Sequence, residues 1–260
     1  MKKKNLLMLF VGAFIVMMAF SSFVSEAAAQ SSDAKLQKLV NEIKLAFSED
    51  DDFTLHSVKL VDNAVEVNLG SNEMPLELLY EMLNATSQYV KKYPVKLTVA
   101  EAEFVKSFRS FGLKGITLKV TDGSYNRSLL FSPEELVAME RLDKSDDENA
   151  MLKVLSYIPF EKLVGIMDRE IKKDEGDAAG FECSNGWFLI TMLVPADEFA
   201  QVKVVYDEFP QMMEQEFKQN LSKGMDSEAM MLLELARNNG YKVGVKFYAN
   251  GYKPIIISLE

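Results

Sequence analysis

The chain has 260 residues, of which 48% are hydrophobic and 26% are charged, with a formal net charge of −10 at pH 7. These proportions are typical of a globular protein with a sizeable core, and the acidic balance argues against binding to nucleic-acid phosphates or anionic membrane surfaces. The only cysteine, Cys183, excludes an internal disulfide, so the fold must rest on its apolar core.

The first predicted element is an export leader over residues 1–29. Three lysines open it, the stretch from Asn5 to Val24 carries no charge, and the alanines at 27–29 give a cleavage point before Gln30. The apolar stretch is almost long enough to span a bilayer, so an uncleaved anchor is the alternative. We therefore expect export to the periplasm or outer surface of a bacterium, with no membrane span once the leader is removed.

Residues 30–142 form a first predicted α+β unit. A helix over 34–47 precedes two β-hairpins, whose tight turns are predicted at residues 62–63 and 122–123. Two stretches with apolar residues at helical spacing lie between the hairpins. The second of them opens with Thr98-Val99-Ala100-Glu101, which is a capping box.

The segment 143–159 is predicted to link this unit to a second one, because its beginning is polar and has no apolar period. Residues 160–260 repeat the order of helix, hairpin, two helices and hairpin, with turns at 185–186 and 250–251. The first apolar stripe between these hairpins stays in phase across Pro210 and is predicted to face the core. It consists of Phe199, Val202, Tyr206, Phe209, Met213 and Phe217. A kink, not a loop, is therefore expected at that proline.

The turns of the second unit follow those of the first after 123 and 128 residues, an offset that indicates an internal repeat. The fold prediction is therefore α+β, with two tandem copies of a helix–hairpin–helix–helix–hairpin unit. Each copy is expected to form a four-stranded antiparallel sheet that helices cover on one face. Two arrangements stay open, since the sheets either join edge to edge or pack as separate domains.

No catalytic or metal-binding motif is found in the sequence. A Ser-His-Asp triad would depend on His56, the only histidine, and there is no Gly-x-Ser-x-Gly motif. One histidine and one cysteine cannot supply the ligands of a zinc site, and no phosphate-binding glycine loop is found. The prediction is that the chain has no catalytic residues, no metal site and no cofactor.

Several other patterns favour structural interpretations. The acidic runs at 49–52 and 146–148 lack the spacing of a calcium loop and are interpreted as solvated. Cys183 is interpreted as a small residue that faces the core. The methionines at 212–213, 225 and 230–231 are compatible with Cu(I) ligation or an adaptable peptide groove, but core filling is favoured.

One ligand-binding hypothesis concerns the aromatic residues Trp187, Tyr248 and Tyr252, which lie at or beside the turns of the second unit. They are candidates for a platform that stacks a sugar or a peptide, and packing against the helices is the alternative. The favoured function is a non-enzymatic periplasmic or surface-associated binding protein with a peptide, glycan or protein partner. The alternatives are an envelope interaction or assembly protein and a carboxylate-dependent hydrolase.

Overall fold

The structure is a computed structural model. It describes residues 36–38, 40–41, 43–45, 53–72, 74–143, 148–224 and 227–260. The predicted leader and the acidic run at 49–52 lie outside these residues, and the described positions of the helix predicted over 34–47 are helical. The chain divides into two compact units between Tyr157 and Ile158.

The first unit is built from a four-stranded sheet and the helices that follow its strands. Its strands are β1 (Phe53–Val61), β2 (Ala64–Ser71), β3 (Gly115–Thr121) and β4 (Asn126–Phe131). Its helices after β2 are α1 (Leu76–Lys92), α2 (Val99–Ser110), α3 (Pro133–Asp143) and α4 (Glu148–Leu155). Helix α4 therefore lies within the segment predicted as the link.

The second unit has its own four-stranded sheet. Its strands are β5 (Ala179–Ser184), β6 (Trp187–Leu193), β7 (Lys242–Tyr248) and β8 (Ile255–Ser258). Its helices are α5 (Phe160–Glu175), a short 3₁₀ helix (Gly176–Ala178), α6 (Ala196–Glu208), α7 (Pro210–Gly224) and α8 (Ser227–Asn238). The predicted α+β class is confirmed. Within the described ranges, none of the helices has the length and apolar character of a membrane span.

Both sheets are mixed, so the prediction of antiparallel sheets is wrong for the central pair of each. The strand orders are β1-β2-β3-β4 and β5-β6-β7-β8. The outer pairs are antiparallel hairpins, whereas β2 and β3 run parallel, as do β6 and β7. The helices between the hairpins bring the chain back to the end of the sheet where the preceding strand began, which makes the next strand parallel.

The first hairpin of each unit has the predicted two-residue turn. Asp62 and Asn63 have φ angles of 48° and 61°, and Asn185 and Gly186 have φ angles of 50° and 77°. Positive φ at both central positions is the signature of a type I′ turn, which matches the twist of a hairpin. Local sequence therefore determined these two turns.

The second hairpins have longer connections than the predicted two-residue turns. In the first unit, β3 and β4 are joined by residues 122–125, and the Asp122 carboxylate organises this loop. Its Oδ1 accepts hydrogen bonds from the backbone N–H groups of Ser124 and Tyr125, at 2.9 and 2.8 Å. An aspartate that binds the backbone after it supports a turn without requiring the type I′ geometry.

In the sheet of the first unit, buried residues alternate with more exposed ones along the strand. On β3, Ile116, Leu118 and Val120 are buried and alternate with half-buried polar residues. Successive side chains of a strand point to opposite faces, so one face of this sheet belongs to the core. The alternation in the sequence predicted this face correctly.

Helix α2 begins at the predicted capping box. The Glu101 N–H donates to Thr98 Oγ1 at 3.3 Å, and the Thr98 N–H donates to Glu101 Oε2 at 2.6 Å. Arg141 of α3 donates from Nε to Glu101 Oε1 at 2.7 Å. The hydrogen bond from Arg141, with smaller contributions from Thr98, lowers the pKa of Glu101 to about 2. A charge-assisted pair therefore joins α2 to α3.

We expect the substitution E101Q to destabilise the protein in a pH-dependent way. The folded-state pKa of Glu101 is about 2, below its ordinary value of 4.5, so its stabilisation is complete above the ordinary value and is lost as the pH falls towards 2. The variant should lose about 1–2 kcal/mol of unfolding free energy near neutral pH, since water partly screens the pair. Urea unfolding near neutral pH and near pH 2 should show this difference shrinking. The exposed neighbour variant E103Q is the control, and a loss for E101Q that stays constant with pH would contradict the pairing.

Helix α3 also begins with a reciprocal cap, which Ser132 and Glu135 form. The Ser132 N–H donates to Glu135 Oε2 at 2.7 Å, and the Glu135 N–H donates to Ser132 Oγ at 3.3 Å. The other oxygen of Glu135 lies 3.1 Å from both Lys91 Nζ and Ser87 Oγ of α1. The residue that caps α3 therefore also joins it to α1.

Helix α1 packs against the sheet and against two other helices of the first unit. It contacts strands β2, β3 and β4, and it also contacts helices α3 and α4. Eight of its residues are buried: Leu79, Glu81, Met82, Leu83, Ala85, Thr86, Ser87 and Val90. The sheet and two further helices thus enclose the helix that follows the first hairpin.

Candidate functional site

The second unit contains a cavity of about 180 Å³ between helices α6 and α7 and strands β7 and β8. Nine side chains line it, and they are aliphatic, aromatic or thioether groups: Val194, Phe199, Val202, Tyr206, Met213, Phe217, Phe247, Ile255 and Ile257. Such a lining offers almost no hydrogen-bonding group and therefore favours an apolar occupant.

The periodicities of a strand pair and a helix bring the two main walls together. Phe247 of β7 pairs directly with Ile255 of β8, so both side chains project from the same face of the sheet. Opposite them, Phe199, Val202 and Tyr206 follow one another along α6 at spacings of three and four residues. Residues at this spacing share one side of a helix.

The helical wall is interrupted at Phe209. Helix α7 begins at Pro210, and Phe209 has φ −131° and ψ 56°, which is not a helical conformation. Proline disfavours the helical conformation of the preceding residue, which explains the break. The expected kink is thus a one-residue interruption between two helices. Met213 and Phe217 continue the lining on α7, and the Phe217 ring lies edge-on to Phe247 at 5.3 Å.

One polar atom belongs to the lining side chains, the hydroxyl of Tyr206. It donates to Glu214 Oε1 at 2.8 Å. Burial, together with the nearby Glu214, raises the pKa of Tyr206 to about 12, so the phenol is protonated at neutral pH. The lining therefore presents no charge, and a polar group placed there would lose its hydration without compensation.

The apolar stripe of α6 is less buried than its sequence predicts. Phe199 is fully buried and Tyr206 is half-buried, but Val202 and Phe209 are exposed. A helix turns by about 100° per residue, so Val202 lies about 60° around α6 from Phe199. The apolar stripe covers a wider part of the helix surface than the part that contacts the sheet. The prediction that Val202 and Phe209 are core residues is therefore wrong.

The three aromatic residues predicted to bind a ligand do not come together. Trp187 begins β6 and Tyr248 ends β7, and because these strands are parallel the two residues lie at opposite ends of the sheet, roughly 20 Å apart. The Tyr248 hydroxyl donates to the backbone oxygen of Asp177 at 2.7 Å. The Tyr252 ring lies 5.5 Å from that of Phe199, beside the cavity. A single platform made of all three is therefore not formed.

Cys183 and His56, the other two candidate reactive residues, both lie within the β-sheets. Cys183 is half-buried and pairs directly with the buried Phe188. Burial, with nearby carboxylates, raises the pKa of Cys183 to about 11, so the thiol is protonated and weakly reactive. His56 occupies a β-bulge of β1, where its ring lies over Gly70.

A second, more open depression lies in the first unit beside His56. Its lining residues are Asn41, Lys44, Leu45, Leu55, His56, Ser57 and Val58. Among the described residues that line this depression, none carries a carboxylate.

The methionines of the second unit are divided between the cavity and the surface. Met213 lines the cavity, whereas Met212 and Met230 are exposed, and Met225 lies outside the described residues. In the part of the chain that the structure describes, no three His, Cys, Asp or Glu side chains come together as a metal site. The buried carboxylates found there, those of Glu81 and Glu140, do not line the cavity.

Sequence reasoning identified most of the cavity residues as apolar but missed the cavity itself. Phe199, Tyr206 and Phe217 were expected to fill the core. The available signal was Pro210, because a proline within an apolar stripe divides a helix and changes the direction of its second half. A divided helix covers a sheet less evenly than a continuous one.

Comparison with known proteins returns no relative. No family model matches the chain, no curated protein is detectably similar to it, and no solved structure is either. The fold and the cavity are therefore the observations from which a function is argued.

Proposed function

We propose that the protein is an exported, non-enzymatic binding protein that takes an apolar group of its ligand into the cavity of the second unit. The observation that carries this proposal is the uncharged lining of aliphatic and aromatic side chains. An enclosed apolar cavity of about 150 Å³ holds a molecule the size of benzene. The cavity of about 180 Å³ therefore has room for one aromatic side chain or a short acyl segment.

Export is part of the proposal and rests on the leader over residues 1–29. Its basic start, uncharged apolar stretch and small residues before Gln30 are the three parts of a bacterial secretory signal. The protein would then meet its ligand in the periplasm or at the outer surface. Peptides, glycolipids and proteins with exposed apolar groups are the partner classes that fit the cavity.

We also propose that the two units descend from one duplicated module. Their sheets have the same strand order, the same parallel central pair and a two-residue turn in the first hairpin. Two helices separate the hairpins of the first unit, and three separate those of the second. In this proposal the first unit is a compact scaffold and the second carries the binding site.

The cavity proposal predicts that a small apolar molecule binds the second unit. Toluene is a suitable probe because it carries no hydrogen-bonding group. The variant V202F places a larger ring on the cavity lining without burying a polar atom, and it should weaken toluene binding at least about tenfold. Calorimetric titration of the full chain with toluene measures the change.

The matched control is V204F on the same helix. Val204 is 67% exposed and does not line the cavity, so the same increase in size should change toluene affinity by less than about twofold. Equal effects of the two variants, or no toluene binding by the unaltered protein, would contradict the cavity as the binding site.

A further inference from the structure

We infer that an exposed apolar flank of helices α6 and α7 docks a basic amphipathic helix of a partner protein. The flank, called here the α6 flank, consists of Val202, Val205, Phe209 and Met212. Between 41% and 55% of the surface of each of these residues is exposed. Isolated apolar residues are common on protein surfaces, but a contiguous group marks an interaction site.

The spacing of these residues is that of a helix-packing ridge. Val202 and Val205 are three residues apart on α6, and Phe209, which ends this helix, follows Val205 after four residues, so the three side chains lie along one side of α6. Met212 is also exposed and lies on α7, beyond the break at Phe209. A second helix packs against such a line by placing its own apolar side chains between those of the first.

The first unit shows how this chain covers a helix in the same position. Helix α1 follows β2 as α6 follows β6, and α1 has eight buried residues where α6 has one, Phe199. Helices α3 and α4 contact α1, and the ion pair of Lys91 with Glu135, at 3.1 Å, joins α1 to α3. Helices are thus the elements that enclose α1, and a helix is the occupant that fits the α6 flank.

The charges beside the flank define the partner further. Helix α6 carries Asp197, Glu198, Asp207 and Glu208 against one cation, Lys203. Lys203 Nζ lies 2.7 Å from both carboxylate oxygens of Asp207. Glu198 lies four residues before Val202 and Glu208 three residues after Val205, so these two exposed carboxylates border the apolar line, whereas Asp207 lies on the opposite side of the helix. Carboxylates at this border favour a partner with Lys or Arg at the edges of its apolar stripe, and they oppose an anionic lipid surface.

This inference does not depend on occupancy of the cavity. Val205, Phe209 and Met212 are outside the cavity lining, and only Val202 belongs to both surfaces. Substitutions at Val205 and Phe209 therefore test docking separately from toluene binding.

A displayed library of amphipathic helical peptides provides the test. Each peptide has an apolar stripe at helical spacing, and the positions at the edges of the stripe are randomised among Lys, Glu and Ser. Peptides that bind the full-length protein are selected from this library. We expect net-positive peptides to be enriched. The best of them, synthesised and measured by fluorescence anisotropy, should bind the double variant V205S/F209S at least about tenfold more weakly and V204S within about twofold.

Four results would overturn the inference: failure to enrich any saturable binder, enrichment of neutral or acidic peptides, unchanged binding by V205S/F209S, or equal loss in V204S. If sedimentation detects self-association of the protein and the double variant V205S/F209S abolishes it, the α6 flank binds a second copy of the chain instead. Binding to anionic vesicles that the same variant abolishes would assign it to lipid. Circular dichroism and retained toluene binding establish that the double variant is folded.

Discussion

Replacement of Gly115 by alanine should reduce the unfolding free energy of the first unit by at least about 3 kcal/mol or prevent its folding. A Cβ at this position would lie 2.0 Å from the carbonyl oxygen of Phe131 and 3.2 Å from the Cα of Ser132. Both contacts are with backbone atoms, so no side-chain rotation relieves them. Strands β3 and β4 would have to separate at the end where the buried residues Ile116 and Phe131 pair.

Gly112 is the matched control for this substitution. It lies in the loop before β3 with φ +71°, and a Cβ added there would have no heavy atom within 4 Å. G112A therefore causes no steric clash. Its cost is that of holding an alanine in the left-handed backbone conformation, about 1–2 kcal/mol of unfolding free energy. Urea unfolding followed by circular dichroism compares the two variants. A loss for G115A no larger than that for G112A would show that β4 does not approach Gly115 this closely.

Truncation of Phe188 to alanine should reduce the unfolding free energy of the second unit by about 3–5 kcal/mol. Phe188 is fully buried on β6, and its ring centroid lies 5.3 Å from that of Phe160 and 5.6 Å from that of Phe181. It also pairs directly with Cys183 and Val243 on the neighbouring strands. These neighbours belong to α5 and the sheet, and a void between such elements closes only partly.

The fluorescence of Trp187, the only tryptophan, reports unfolding of the second unit. The control is F209A, the same truncation at a residue that is 48% exposed, which should cost less than about 1 kcal/mol. Similar losses for F188A and F209A would contradict the assignment of Phe188 to the core and of Phe209 to the surface.

Features that depend on neighbouring residues in the chain could be predicted from the sequence. The turns at 62–63 and 185–186 have the predicted geometry because their residues tolerate positive φ. The capping box from Thr98 to Glu101 forms because both partners lie within one helical turn. The buried face of β3 follows from its alternation.

Features that depend on how distant elements meet could not be predicted. Alternation along β2 and β3 is the same for either pairing direction, so the parallel pair was missed. For the same reason Trp187 and Tyr248 were placed near each other, although parallel pairing puts them at opposite ends of the sheet.

The cavity shows the same limit of sequence patterns. Periodicity identifies Phe199, Tyr206 and Phe217 as residues of one apolar stripe, but it does not give the distance between that stripe and the sheet. The break at Phe209 and Pro210 divides the stripe between α6 and α7, and both helices contribute to the lining of the cavity. Residues that the sequence assigns to the core therefore line a cavity next to it.

The location of bound toluene tests the central claim, an apolar binding site in the second unit, most directly. Methyl NMR spectra of the isotopically labelled full chain, recorded during a toluene titration, resolve the individual isoleucine and methionine residues. The account predicts saturable shifts at Ile255, Ile257 and Met213, with Ile116 in the core of the first unit unchanged. Shifts that spread equally over both units, or none at the three cavity methyl groups, would contradict it.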